Sequence, residues 1–134
     1  MSNVLKLFGT AAVSFLVLDL LWLLLFARRM YQNNLGHLLG QTKFAPAAIF
    51  YMIYLIGILI FIVNPSLEKG SLFYAIATGG FLGLLSYGTY DLTNLATIKN
   101  WPAIITIIDL IWGTVVTASV SGITVFVAQH FNWR

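Results

Sequence analysis

The fold class this sequence predicts is all-α: an integral membrane protein with four transmembrane helices in an antiparallel up-down bundle. Three observations predict it. Of the 134 residues, 60% are apolar and only 8% are charged, whereas a soluble domain carries roughly 25% charged residues. Four stretches are long and apolar enough to supply the ~20 residues that cross a hydrocarbon core. None of them alternates with period two, which argues against a lipid-facing β-barrel, and short connections between them favour antiparallel neighbours. So few charges cannot clothe a water-facing surface. Composition therefore also excludes a soluble enzyme, a disordered regulator and a nucleic-acid binder.

The first span runs from about Val4 to Phe26. Lys6 followed by an apolar run has the look of a signal peptide. That run is longer than a signal core, however, and it ends at Arg28-Arg29 without a small-x-small site, so it reads as a retained helix. The second span, about Ala45 to Val63, opens on Pro46 in its first turn, where a missing N–H is harmless. Asn64-Pro65-Ser66 reads as a break before the third span, about Leu72 to Ala96. Pro102 introduces the fourth, about Ala103 to Ala128. The longest connection, Arg28 to Phe44, carries Tyr31, Leu35, Leu38 and Leu39 at helical spacing. It fits either a short helix lying in the interface or a loop that tucks its leucines against the bundle.

The net charge of +3 rests on seven basic residues, too few and too scattered to track phosphates. Without cysteine there is no disulfide or iron–sulfur scaffold, and His37 and His130 form no pair that grips a haem. No metal site and no cofactor are implied. Arg28, Arg29, Lys43 and Lys99 flank one side of the spans, and Lys6, Lys69 and Arg134 the other. Basic residues favour the cytoplasm, most of all beside the first helix. The expectation is cytoplasmic loops one and three with both termini outside, although the near balance leaves dual insertion open.

Asp19, Asp91 and Asp109 all fall inside predicted spans. At 1.5 Å per residue, each lies roughly 8–12 Å from the same end of its helix. An ionised aspartate near a helix centre costs about 2.5–3.5 kcal/mol on insertion scales, so three at one depth call for inward orientation, shared hydrogen bonds and at least one retained proton. The surroundings repeat: Asp19-Leu-Leu-Trp22, Asp91-Leu-Thr-Asn94 and Asp109-Leu-Ile-Trp112 put a Trp or Asn on each aspartate's own face. Tyr87 and Tyr90 join from the third helix, and Tyr51 and Tyr54 from the second. The ligand-binding set is thus Asp19, Trp22, Tyr51, Tyr54, Tyr87, Tyr90, Asp91, Asn94, Asp109 and Trp112, an acidic, aromatic-walled pocket opening toward the cytoplasm. Arg28, Arg29 and Lys43 form a rim for an anionic head group. The plainer reading is helix–helix glue, worth about 0.6 kcal/mol per hydrogen bond. Function is favoured over it because Asn or Ser would serve as glue at less cost.

Trp101 and Trp133 are assigned to the aromatic belt at the membrane surface, and Trp22 and Trp112 to the pocket wall. Gly79-x-x-x-Gly83 is a small-residue packing pattern, read first as packing within the chain and otherwise as a dimer face. Thr114, Thr117, Ser121 and Thr124 lie on one stripe of the fourth helix. Such hydroxyls usually bond back to the i−4 carbonyl; the alternative is a hydrated path to the far side.

The run Tyr87-Gly-Thr-Tyr-Asp91-Leu-Thr-Asn94-Leu-Ala-Thr, with Lys99-Asn-Trp101-Pro102, Asp109-Leu-Ile-Trp112-Gly113 and Asp19-Leu-Leu-Trp22, resembles a family of small bacterial inner-membrane proteins of unknown function (a DUF family) over essentially the whole chain. The resemblance implies a four-helix, multi-pass protein of the bacterial inner membrane and carries no activity.

Three functions fit these residues. The first is binding or transport of a proton, a cation or a small amphipathic ligand, with cation–π contacts from Trp and Tyr worth about 0.5–2 kcal/mol. The second is an intramembrane enzyme acting on a lipid or isoprenoid, with the aspartates as acid and base; no nucleophile set or metal motif supports it. The third is a structural or assembly subunit. The first is favoured. Its expected partners are the lipid bilayer, a small cationic or lipid-like ligand and a second copy of the chain, with no nucleic acid.

Overall fold

A computed structural model describes residues 2–133. Met1 and Arg134, and with Arg134 one charge of the orientation argument, lie outside the described residues. Four helices are long and apolar enough to cross a membrane: α1 (Asn3–Leu35), α2 (Phe44–Lys69), α3 (Leu72–Thr97) and α4 (Ala103–His130). Among the described residues there is no strand. The protein is a multi-pass, all-helical membrane protein.

α3 and α4 form where the hydropathy places them. α1 and α2 run further than expected, each through one π-helical turn. In α1 the turn is Leu23–Ala27, where the Arg28 N–H reaches five residues back to the Leu23 carbonyl. The helix then continues through Arg28, Arg29 and Tyr31 to Leu35. The segment read as a connection is therefore two more turns of α1. It stays helical because Leu35 is buried against Trp101 and Ile105, with Met30 and Tyr31 packed beside it. Leu38 and Leu39 lie beyond the helix and are exposed.

In α2 the π turn is Leu59–Val63, and it absorbs the expected break at Asn64-Pro65-Ser66. Proline lacks an N–H and crowds the carbonyl four residues earlier. A wider turn just before Pro65 supplies that room, and the helix runs on to Lys69. It stops at Gly70, which adopts the left-handed conformation (φ 62°). There Gly70 N donates to Leu67 O at 3.2 Å and Ser71 N to Ser66 O at 3.0 Å, closing off the last carbonyls. Ser71 then caps α3, its hydroxyl accepting from Tyr74 N at 3.0 Å.

α4 is the hub. It packs most extensively on α3, next on α1, and also touches the π turn of α2. The α3–α4 seam is antiparallel: Gly79 faces Ser121, Gly83 faces Gly113 and Thr117, and Gly88 faces Leu110. The glycines let the backbones approach closely, so the Gly79/Gly83 pattern packs within the chain. A buried apolar core follows from α1 and α2 onto α4, through Leu7, Ala11, Phe15, Ile58, Val63, Val116, Val120 and Val125. All four helices expose large apolar residues along their spans (Leu24, Phe26, Ile53, Phe61, Phe73, Phe81, Ile111 and Phe126 among them), as acyl chains require.

Candidate functional site

Between the helices lies a cavity of about 350 Å³, within the range of small-ligand sites. Of the residues expected to gather, Asp19, Trp22, Tyr51, Tyr87, Tyr90, Asp91, Asp109 and Trp112 line it. Leu23, Tyr31, Leu35, Leu39 and Trp101 complete the wall.

α4 and α3 supply the acidic floor. Asp109 is buried at 6% exposure and Asp91 at 0%. Their carboxyls face each other within hydrogen-bonding reach. Neither oxygen of Asp91 has a hydrogen-bond donor, and a proton between the two carboxyls is the one bond the pair itself can make. The Asp91 backbone is fixed from below. Trp101 Nε1 donates to Thr106 Oγ1 at 3.0 Å, and Thr106 Oγ1 donates to the Asp91 carbonyl at 3.3 Å. Trp101 can reach this point because Asn100 turns the α3–α4 connection through the left-handed region (φ 63°). Asparagine tolerates that conformation better than most residues. Trp101 is therefore a buried wall of the cavity, edge-on to Tyr90 at 5.9 Å, and not a member of the surface belt. Its indole N–H finds a partner inside the protein.

Asp19 stands apart from this pair. It is half-buried on α1 and accepts from the Tyr51 hydroxyl at 2.7 Å. The three aspartates line one cavity, but only Asp91 and Asp109 touch. Consistent with this, no group of three acidic, histidine or cysteine side chains with metal-binding geometry exists among the described residues.

Tyr31 completes the floor by donating to Asp109 Oδ1. Periodicity alone misses it. At about 100° per residue, Tyr31 would sit about 120° around an unbroken α-helix from Asp19. The π turn absorbs one residue, which turns Tyr31 back to within about 20° of the Asp19 face. The same step leaves Leu23 beside Asp19 and swings Leu35 toward Trp101. The helical spacing of Tyr31 and Leu35 was the available signal.

Trp22 and Trp112 stack with ring centroids 4.5 Å apart and planes 5° from parallel. The Nε1 atoms of both are buried without an acceptor. Tyr87 lies over Gly113, where any Cβ would overlap its ring.

Some expected residues are elsewhere. Tyr54 lies one turn below Tyr51, beneath the edge-on Phe15 ring (5.9 Å), and its hydroxyl pairs with Thr117 at 2.7 Å in the core. Asn94 is half-buried near the end of α3 and does not line the cavity. Arg28 and Arg29 are exposed on α1, where they line a separate surface pocket with Leu24, Leu25 and Phe26. Lys43 is exposed just before α2. None of the three borders the acidic cavity, because the extended α1 carries the arginines on its outer face. Trp133, at the opposite end, lies 5.5 Å beneath the Lys6 ammonium. In the hydroxyl stripe, Thr114 and Thr124 bond back to Leu110 and Val120, and Ser121 is buried without a partner.

The sequence pattern of one family, described as predicted membrane proteins, matches residues 4–126. The chain belongs to that family, DUF2177. The match takes in all three aspartates, both stacked tryptophans and Tyr31. No curated protein matches the chain, and no solved structure does.

Proposed function

We propose that this DUF2177 protein binds a small cation in its acidic, aromatic-walled cavity and exchanges it for a proton. One observation carries the reading: Asp91 is fully buried, lines the cavity, and has two carboxyl oxygens without a donor beside the carboxyl of Asp109. A carboxylate left bare inside a membrane protein is expensive unless something supplies a charge or a hydrogen bond. A shared proton does so in the empty site, and a bound cation does so in the filled one. Because like charges in contact disfavour joint ionisation, an arriving cation lets both carboxyls ionise and sends the proton to solvent. The stacked indoles, with Tyr87 and Tyr90, offer ring faces to the cation. Asp19 and Asp109 are each held by a tyrosine hydroxyl, which leaves Asp91 as the carboxyl open to the ligand.

We further propose, from the Lys/Arg bias beside the first helix, that the protein sits in the bacterial inner membrane with the 36–43 and 98–102 connections facing the cytoplasm and both termini outside. Reporter fusions at either terminus test the orientation. The binding test uses purified protein in a weakly buffered nanodisc suspension. Adding methylammonium should release about one proton per cation bound, and Asp91→Asn should abolish the release. Saturable binding without proton release, or release that survives Asp91→Asn, would remove the proposal.

A further inference from the structure

The cavity is graded from one end to the other, and the gradient identifies its ligand more closely. At the floor, Asp91 and Asp109 are 0% and 6% exposed. Where the cavity opens, its lining is exposed: Leu23 at 39%, Leu39, in the connection after α1, at 52%, and Tyr90, on α3, at 58%. Leu23 lies well inside α1, so its outer side meets acyl chains rather than water. While the Leu39 side of the mouth, on the 36–43 connection, lies at the membrane surface, a ligand that passes Leu23 reaches the acids from the bilayer. Its inner end must also carry N–H donors. The bare oxygens of Asp91 call for hydrogen bonds, and a site built around such acceptors discriminates strongly against an analogue that cannot donate. A divalent ion stripped of its water fits poorly, since it needs six or more oxygen ligands, while this floor offers two neighbouring carboxyls among aromatic rings.

Building on the cation-binding reading above, we infer that the ligand is a primary alkylammonium that enters from the bilayer, with its N–H groups on Asp91 and Asp109 and its tail lying past Leu23 and Leu39. The stacked Trp22 and Trp112 rings flank the passage between the two ends, and the Trp112 Nε1 donor remains open to a hydroxyl or carbonyl on the same ligand.

The experiment titrates the protein in zwitterionic nanodiscs with methylammonium, octylammonium and octyltrimethylammonium. It follows tryptophan fluorescence and proton release, and protein-free nanodiscs give the membrane loading of each probe. At equal loading, octylammonium should bind at least about tenfold more tightly than octyltrimethylammonium, which has the same tail and no N–H. Referred to free aqueous concentration, it should bind more tightly than methylammonium by up to about fourfold per methylene taken out of water. Leu39→Ser should lower the octyl-to-methyl affinity ratio. Equal affinity for the two octyl probes, or for methyl and octyl amines, would overturn the inference. Methylammonium binding with proton release but no octyl preference would overturn it alone. Absence of binding and proton release with every amine would sink the cation-binding reading as well.

Discussion

Gly83→Ala probes the seam on which the cavity is built. A Cβ at Gly83 would land on the Gly113 carbonyl oxygen and 2.8 Å from Thr117 Oγ1. Neither obstacle can swing away. The first is backbone, and the second is held by the Tyr54 hydroxyl at 2.7 Å. α3 and α4 must part by on the order of 1 Å, and a gap of that size forfeits a quarter to a half of each dispersion well along the seam. Overpacking a tight core costs about 1–3 kcal/mol, and a rigid obstacle puts this case at about 3 kcal/mol. Alanine's better helix propensity returns little, because membrane helices stay helical after they separate. Gly9→Ala and Gly57→Ala are the controls. Nothing lies within 4 Å of a Cβ at either position, so both should stay within about 0.5 kcal/mol of the parent. SDS titration of the purified protein in mixed micelles, followed by tryptophan fluorescence, measures all three. A Gly83→Ala protein as stable as Gly9→Ala would refute the close approach.

Tyr51→Phe removes the hydroxyl that donates to Asp19, a 2.7 Å bond, and should lower stability in the same titration by about 1 kcal/mol. Asp91→Asn keeps the shape of the side chain and offers its amide N–H to Asp109 in place of the shared proton, so stability should change by less than about 1 kcal/mol while cation-linked proton release disappears. A loss of more than about 3 kcal/mol with ligand binding intact would instead mark Asp91 as a bundle staple. Asn100→Gly should be tolerated at φ 63°. Asn100→Val should cost about 1–2 kcal/mol and red-shift the emission of Trp101 as that ring loses its buried seat.

Much of the architecture was legible before any coordinates. Helices α3 and α4 follow from hydropathy and from Pro102, and close packing at Gly79 and Gly83 follows from their spacing, while the structure decides that the partner is α4 of the same chain. Eight of the ten expected ligand-binding residues line the cavity, because the i, i+3 pairing of aspartate with tryptophan survives wherever the helix stays regular. Asn94 and Tyr54 missed it for different reasons. The first sits one turn nearer the end of α3, and the second is drawn to Thr117 in the core.

Composition and hydropathy alone determined that this chain lives in a membrane as helices, since burying so few charges among so many apolar side chains leaves no other solvent. They also determined that acids lie within the spans. Tertiary packing decided the remainder. Local sequence barely distinguishes an α turn from a π turn, and the gain from seating Leu35 against Trp101 and Tyr31 on Asp109 selects the wider one at Leu23–Ala27. That single choice of register turned Arg29 to the far side of α1 from Asp19 and set Tyr31 on Asp109. Packing likewise brought Asp91 against Asp109 while Tyr51 held Asp19 aside, a division that residue spacing within any one helix does not contain.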